Sequence, residues 1–302
     1  MPRGSQSWSR RLFSEVPPAV FALAAGIIFA IGAQFQNLGL ARVSSRSGAA
    51  ISIVSSAVLY WLVSPWLLDG AHWSHPAVLI FAAIGLFRPS VSANLAVAGM
   101  RYLGPTLATT LSSVSPVFSV AMGVLWLGEV LNGTTALATT GIIAAVVMLA
   151  KRDVKIPTTW PLWAIGLPVA AAAVRSIGHV LSKIGMEGIP DPYFAGLVGF
   201  TVSAMVMILV QWARPEPQRI QWRRRDPYWF VLGGLTMGIA LLCLNTALLR
   251  GEVVSVIPIV AASPVFTMLL SIFVFHRETL TPRIVMAVLV VVPSVIFIAL
   301  NR

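Results

Sequence analysis

The chain of 302 residues is poor in charged residues and in cysteine. Charged residues make up 10% of the chain and hydrophobic residues 57%, whereas about a quarter of an ordinary globular domain is charged. The single cysteine, Cys243, excludes an intramolecular disulfide and a cysteine-rich metal site. A soluble fold could not bury so much apolar surface, so the composition indicates an integral membrane protein.

Motifs for catalysis and for tightly bound cofactors are also missing. The sequence has no phosphate-binding glycine loop, no nucleophile motif and no paired carboxylates. His72 and His75 have a spacing that could suit a metal, but no third ligand accompanies them, so a loop is favoured. We therefore predict neither an enzyme nor an ATP-driven pump, and we expect no cofactor and no metal site.

Long apolar runs are what the chain does have, and each is long enough to cross a hydrocarbon core that needs about 20 helical residues. We predict an all-α integral membrane protein with ten transmembrane helices. The predicted spans are 17–39, 47–68, 76–100, 104–127, 133–150, 161–186, 192–213, 228–250, 252–275 and 282–300.

The net charge of +11 lies mostly in the short links between these spans, which favours membrane topology over nucleic-acid binding. Six Lys and Arg residues lie on the side of the two termini and thirteen on the opposite side. The positive-inside rule therefore places the termini outside, whereas Arg3, Arg10 and Arg11 favour cytoplasmic termini. The orientation stays open.

The tetrapeptide Ser-Pro-Val-Phe occurs twice, at 115–118 and 263–266, and each copy is followed by a glutamate, Glu129 or Glu278. Gly32 and Gly39 likewise match Gly178 and Gly185. These matches predict two repeats of five helices. Because five is odd, the second repeat enters the membrane from the opposite side, and such inverted repeats are typical of secondary transporters. We predict an N-terminal tail at 1–16, a first repeat at 17–150, a linker at 151–160 and a second repeat at 161–302.

The paired segments SPVFSVAMGVLWLGE and SPVFTMLLSIFVFHRE resemble the drug/metabolite transporter superfamily, in its ten-helix EamA-type branch. The resemblance extends from about residue 17 to 300. It implies an exporter or exchanger of amino acids or other small metabolites, with a cavity between the halves, in a bacterial-type inner membrane. The oligomeric state and the coupling ion are not implied.

Arg88 is the strongest candidate for substrate binding. It lies at the centre of the third span, where a charge costs at least ~2.5 kcal/mol and indicates function by default. The adjacent Pro89 removes an amide donor, so we expect a kink and a free carbonyl at Gly85. The alternative is an arginine that only satisfies bent backbone.

The sixth span carries Arg175, His179 and Lys183 at intervals of four, so all three lie on one helical face. We predict Arg175 and His179 as cavity residues, while Lys183 fits a cavity or an interface equally well. The spans contain no acidic residue at mid-depth, unlike small multidrug-resistance proteins, which the architecture otherwise resembles. Two cations without a buried acid favour a substrate with a carboxylate or another anionic group.

Neutral polar side chains are expected to complete the site, although such groups also pack membrane helices together. Gln34, Gln36 and Asn37 in the first span are further possibilities. The residues predicted to contact substrate, beyond the cations, are Asn94, Ser115, Ser119, Asn245, Ser263 and Thr267.

Pro116 and Pro264 lie in the repeated tetrapeptides, and we expect each to free the carbonyl four residues before it, at Ser112 and Val260. We predict that these bends, with Pro89, gate the site as access alternates, rather than only helping the helices to pack. Glu129 and Glu278 are expected to anchor the helix that follows each of them, near Thr134 and Thr281.

The sequence therefore predicts a secondary transporter of small polar or amphipathic metabolites, of which amino acids and organic acids are the leading classes. An exchanger of phosphorylated or lipid-linked anions and a non-transporting assembly factor remain alternatives. The expected partners are an anionic small molecule and the lipid bilayer, and not nucleic acid.

Overall fold

The computed structural model describes residues 16–40, 43–68, 70–88, 91–92, 95, 98–99, 102–103, 107–108, 111–150, 161–213, 220, 222–276 and 280–300. Within these residues the protein is helical and contains no strand. The helices are α1 Pro18–Gly39, α2 Ser45–Leu67, α3 Ala77–Phe87, α4 Ser115–Leu127, α5 Gly133–Ala150, α6 Gly166–Gly188, α7 Pro192–Ala213, α8 Asp226–Arg250, α9 Val253–Ala261, α10 Ser263–Phe273 and α11 Pro282–Leu300.

Ten apolar helical units correspond to the ten predicted spans. Seven are long and apolar enough to cross a membrane, counting α9 and α10 together, and three shorter apolar helices, α3, α4 and α5, lie in the remaining spans. Large apolar side chains are exposed on the outside of the bundle, for example Leu125, Leu137 and Leu162, each with more than three quarters of its surface accessible. Such an apolar exterior is the surface that lipid covers in a multi-pass membrane protein.

The two halves are interleaved, and their main contacts occur in pairs in which the two repeats exchange places. Helix α1 packs against α8, and its repeat equivalent α6 packs against α3. Helix α4 packs against α6, and the broken pair α9 and α10 packs against α1. The contacts of α2 with α7, and of α5 with α11, join equivalent helices. This exchange confirms the inverted repeat of five helices.

Small residues permit these close crossings. A methyl group added to Gly39 would lie 2.5 Å from the Phe230 ring of α8, and one added to Gly185 would lie 2.5 Å from the Phe81 ring of α3. Because a contact this short cannot exist, both positions need glycine. The two matched glycines therefore have the same role in the two repeats: each lets its helix pack closely against the aromatic ring of a neighbouring helix. Small residues have this role in other membrane proteins too.

Hydroxyl groups of α2 donate to carbonyl oxygens of α8 at every turn of their contact. Ser52 donates to Phe230 at 2.9 Å, Ser56 to Gly234 at 2.6 Å and Tyr60 to Gly238 at 3.0 Å. The repeat counterpart is Ser203 of α7, which donates to Gly85 of α3 at 3.1 Å. The Gly85 carbonyl, which the sequence predicts to be free because of Pro89, thus has a partner on a neighbouring helix.

Both spans that carry the repeated tetrapeptide are interrupted at the same point. A turn at Ser113 and Val114 precedes α4, and a turn at Ala262 separates α9 from α10. Pro116 and Pro264 are each the second residue of the helix that follows, where proline loses no helical hydrogen bond. The predicted kinks are therefore helix starts after a turn and not bends within a continuous helix.

Candidate functional site

Arg88 follows directly on the last residue of α3 and meets His179 of α6. Its Nη2 atom lies 2.9 Å from the Nε2 atom of His179. A guanidinium has donors but no acceptor, so Nε2 must accept, and the imidazole is the neutral tautomer with its hydrogen on Nδ1. We assign the tautomer from this contact. Two residues 91 positions apart in sequence thus form one unit that carries a single positive charge.

The stem of Arg88 passes over a glycine of α6. A methyl group on Gly178 would lie 3.2 Å from Arg88 Cδ, which is tighter than an ordinary contact. In the other repeat, a methyl group on Gly32 would lie 2.8 Å from the Thr236 hydroxyl. The matched glycines therefore place Thr236 of the second repeat at the position that Arg88 occupies in the first.

Arg175 lies one turn before His179 on α6, and its guanidinium reaches the break before α4. Its Nη2 atom donates to the Ser112 carbonyl at 3.4 Å. This carbonyl is four residues before Pro116, at the position where the sequence predicted a free carbonyl, and the turn at Ser113 and Val114 separates it from α4. The cation and the break are thus parts of one arrangement, in which α6 supplies the donor that α4 lacks.

Serine hydroxyls hold α4 and α6 together beside Arg175. The Ser176 hydroxyl donates to the Ser115 carbonyl at 2.8 Å, and the two hydroxyls are 3.2 Å apart. Ser115 also donates to the Ala172 carbonyl at 3.3 Å. The predicted ligand Ser115 is thus engaged in helix packing, and Ser176, which the sequence analysis did not select, is its partner.

Two polar atoms near this contact are buried without a hydrogen-bond partner among the described residues: the Ser119 hydroxyl and Nδ1 of His179. Helices α4 and α6 run in the same direction, since Ser115 lies beside Ser176 and, further along both helices, Glu129 lies beside Lys183. Ser119 is four residues after Ser115 and His179 three after Ser176, so both lie at about the same depth. An unpaired buried group costs free energy, and a bound ligand would supply the missing partners.

Among the described residues, no carboxylate pairs with either guanidinium group. All ten acidic residues of the sequence lie in links or at span ends; of the described ones, Asp191 lies beside His72 and Glu129 pairs with Lys183. Arg88, Arg175 and His179 each keep part of their surface exposed, whereas Nδ1 of His179 and the Ser119 hydroxyl are buried and would meet an anion only after a local movement of the helices. The cluster of Arg88, Arg175, His179 and Ser119, hereafter the cationic cluster, can therefore receive an anion.

Comparison with known proteins assigns this arrangement to a family. The family model for EamA, the EamA-like transporter family, matches residues 17–151 and 162–300. The chain belongs to this family. It is thus a multi-pass membrane transporter of the drug/metabolite transporter superfamily, as the paired tetrapeptides indicated.

Solved structures support the fold of the transporter. Among 29 matching chains, one crystal structure has a TM-score of 0.77 and 14% sequence identity, with 93% of this chain and 95% of the other covered. At this identity the likeness concerns the fold alone. No protein with curated annotation matches the chain.

The second break of the transporter contains no cation among its described residues. The Ser263 carbonyl accepts the Thr267 hydroxyl at 3.0 Å, and the Thr267 carbonyl accepts Nε2 of Gln34 at 2.7 Å. A methyl group on Gly26 of α1 would lie 3.7 Å from the Val260 carbonyl oxygen, which also accepts the amide of Ala262. Ser263 and Thr267 therefore lie at a separate place from the cationic cluster, against the first helix.

Asn245 is buried between helices and both ends of its amide are used. Its Oδ1 atom accepts the Ser182 hydroxyl at 3.2 Å, and its Nδ2 atom donates to the Pro192 carbonyl at 3.3 Å. These bonds join α8 to α6 and to the start of α7, which is a packing role. Asn94 and Pro89, the remaining predicted residues, lie outside the described residues.

Glu129 corrects one expectation from the sequence. Its carboxylate accepts the amides of Val253 and Val254 at 2.8 and 2.9 Å, and Nζ of Lys183 at 2.6 Å. It therefore caps α9 of the other repeat instead of the next helix near Thr134. The turn that directs it is made by Gly128, which has a φ of 67° and ends α4 in the left-handed conformation.

Lys183 belongs to this ion pair and not to the cationic cluster. Besides Glu129, its Nζ atom donates to the Gly251 carbonyl at 2.8 Å. The three basic residues on one face of α6 thus divide by depth. Arg175 and the neutral His179, the partner of Arg88, lie near the break, while Lys183 lies at one end of the contact between the repeats. His72 and His75 have structural contacts, since His72 pairs with Asp191 and Nδ1 of His75 accepts the Ala77 amide at 3.2 Å.

Proposed function

We propose that this transporter moves a small metabolite with an anionic group by alternating access, and that Arg88 and Arg175 bind that group. The observation that supports the proposal is the pair of half-buried guanidinium groups at a helix break, in spans that contain no acidic residue. A membrane protein that only needed stability would gain little from such uncompensated charge. Organic acids and amino acids are the proposed substrate classes, and export or exchange the proposed mode.

Alternating access is proposed from the symmetry of the breaks. Each broken helix packs against the first helix of the opposite repeat, α4 against α6, and α9 with α10 against α1. A rocking of one repeat against the other would therefore move both breaks, the first of which adjoins the cationic cluster. This is the mode of transport that inverted repeats produce in other secondary transporters.

Flux measurements in liposomes test the proposal. The purified transporter is reconstituted and supplied with a panel of radiolabelled carboxylates, amino acids and phosphate esters, with exchange measured against the same unlabelled compound inside. Arg88→Ala and Arg175→Ala are each expected to lower flux of an accepted anion at least ~100-fold, since a lost charge-assisted contact to a desolvated anion costs about 3 kcal/mol. Arg223→Ala, which removes an exposed arginine before α8, is the matched control and should leave flux unchanged.

Three outcomes would favour other functions. Competition by phosphate esters but not by carboxylates would favour the exchange of phosphorylated anions. Unchanged flux in both arginine variants would refute the proposed site. A chain that binds none of these anions and moves none of them would favour an assembly factor. The proposed bacterial plasma-membrane location is tested separately, by membrane fractionation of a producing bacterium.

A further inference from the structure

We infer that the substrate carries two separate ionised acidic groups and no amine, so that a dicarboxylate is the preferred class. This inference rests on the proposed function and narrows it. It follows from three features of the cationic cluster: the number of its charges, the spacing between them and the kind of polar atom that is left without a partner.

The cationic cluster has a charge of +2. Arg88 and Arg175 are each cationic, and no acid lies in their spans. His179 adds no charge, because its Nε2 atom accepts from Arg88. A monoanion would leave one guanidinium without a counter-charge in a region of low dielectric constant, whereas a dianion neutralises both.

The two charges are separated along α6 by about one helical turn. Arg175 lies four residues before His179, a rise of roughly 6 Å, and Arg88 is held at His179 by the 2.9 Å contact. The Arg175 guanidinium is directed towards the Ser112 carbonyl at the break. Two carboxylates joined by a short carbon chain can each meet one guanidinium, whereas a single carboxylate can meet only one at full strength.

Among the described residues of the cationic cluster, the Ser119 hydroxyl is the one acceptor without a partner that an amine would find. The carbonyl oxygens beside it already accept bonds: Ser112 from Arg175, Arg88 from the Ser92 hydroxyl, and Ala172 and Ser115 from the serine contacts of α4 and α6. The unpartnered atom of His179 is a donor, Nδ1–H, which suits a carboxylate oxygen. A ligand ammonium would also be repelled by both guanidinium groups, so amino acids are disfavoured.

Flux with paired substrates tests the inference. Liposomes that contain the intact transporter are supplied with succinate, with butyrate, which has the same carbon chain and one carboxylate, and with aspartate, which adds an amine. We expect succinate to be preferred to butyrate by at least about tenfold, the ratio that corresponds to ~1.4 kcal/mol for the second ion contact. Aspartate is expected to be a weaker competitor than succinate by a similar factor.

Charge-removal variants give a second readout. Arg88→Gln or Arg175→Gln leaves one cation, so the preference for succinate over butyrate should fall to about one to threefold while residual butyrate flux persists, since less than ~0.7 kcal/mol of selectivity then remains. Arg223→Gln is the control and should retain the full preference. Succinate flux in the unmodified protein should also follow the concentration of the doubly ionised form as pH is varied at constant total succinate.

The possible results separate this inference from the proposed function. Equal transport of butyrate and succinate, with both arginines required, would overturn the dicarboxylate inference and leave anion transport standing. A preference for aspartate over succinate would do the same. Competition by a phosphate monoester as strong as that by succinate would overturn the requirement for two separate groups, because such an ester carries both charges on one group. Anion flux that is unchanged in both arginine variants would refute the proposed function itself.

Discussion

The breaks before α4 and before α10 have the same tetrapeptide and the same local geometry, but they are completed in different ways. At the first, Arg175 donates to the Ser112 carbonyl, four residues before Pro116, and Arg88 is held one turn away by His179. At the second, the Ala262 amide donates to the Ile259 and Val260 carbonyls, beside Gly26 of α1. The two repeats thus share a scaffold but only the first break carries charge among the described residues, and we accordingly assign movement to both repeats and substrate recognition to the first break.

The same difference extends to the ends of the broken helices, and it leads to the prediction with the largest effect. Glu129→Ala removes the carboxylate partner of Lys183 and the cap of α9, so a half-buried cation loses its counter-charge and keeps only the Gly251 carbonyl. We expect a loss of about 3–5 kcal/mol in the free energy of unfolding, measured by denaturation in detergent.

The control for Glu129→Ala is the same substitution at Glu278, the matched glutamate of the second repeat. The sequence has the neutral Asn37 where the second repeat has Lys183, so Glu278→Ala should cost clearly less. The double variant Glu129→Gln with Lys183→Met, which removes both charges, should recover much of the loss. Equal costs for the two glutamates would contradict the asymmetry between the repeats.

The matched glycines provide a second test of the comparison. Gly178→Ala places a methyl group 3.2 Å from Arg88 Cδ, and Arg88 must shift away from His179. We expect overpacking equivalent to about 1–3 kcal/mol, seen as weaker substrate binding with a similar unfolding temperature.

In the other repeat, Gly32→Ala meets the Thr236 hydroxyl at 2.8 Å. It should lower the unfolding temperature without changing the affinity of the folded protein. Gly199→Ala is the control, because a methyl group there meets nothing within 4 Å. A loss of substrate affinity in Gly32→Ala and none in Gly178→Ala would indicate that substrate binds beside Gly32 and not beside Gly178, contrary to this account.

Substitution of the two prolines should distinguish the breaks by a smaller change in flux. Pro116→Ala supplies an amide that can bond to the Ser112 carbonyl and compete with Arg175, whereas Pro264→Ala has no cation to displace. We expect Pro116→Ala to lower flux several-fold, roughly 1 kcal/mol, and to lower affinity less than flux. Pro264→Ala should slow flux without any change of affinity. Unchanged flux in both variants would contradict the proposal that the breaks take part in gating.

The smallest effect on stability is expected at Ser119. Its hydroxyl is fully buried and has no partner among the described residues, so Ser119→Ala should change the free energy of unfolding by less than about 1 kcal/mol, in either direction. Substrate affinity should nevertheless fall, since this hydroxyl is a partner of the bound anion in the proposed site. Ser176→Ala is the matched control, because that hydroxyl is occupied in packing and its loss should reduce stability first.

The scaffold was accessible from sequence because apolar length and repeated motifs are local properties. Ten spans and their inversion follow from hydropathy and from the matches of Pro116 with Pro264 and Gly32 with Gly178. The two carbonyls predicted to be free at Gly85 and Ser112 followed from proline chemistry alone. The side chains that reach them, Ser203 and Arg175, come from helices distant in the chain, so only packing could identify them.

The candidate site was predicted less completely, for the same reason. Arg88, Arg175 and His179 were found because charge in a span is costly wherever it lies. Ser115 and Asn245 were selected for their polarity, but their hydrogen bonds pack helices, and a sequence does not distinguish the two uses. Glu129 was assigned to the next helix in the chain because capping is ordinarily local, whereas the inverted repeat brings α9 to it.

The most direct test of the central claim, that recognition belongs to one break, is to locate the anion itself. Crystals of the transporter grown with a bromine-labelled dicarboxylate would give an anomalous signal at the bound ligand. We predict a peak between Arg88 and Arg175, within reach of His179 Nδ1 and the Ser119 hydroxyl. A peak beside Ser263 and Thr267 at the second break would contradict the account.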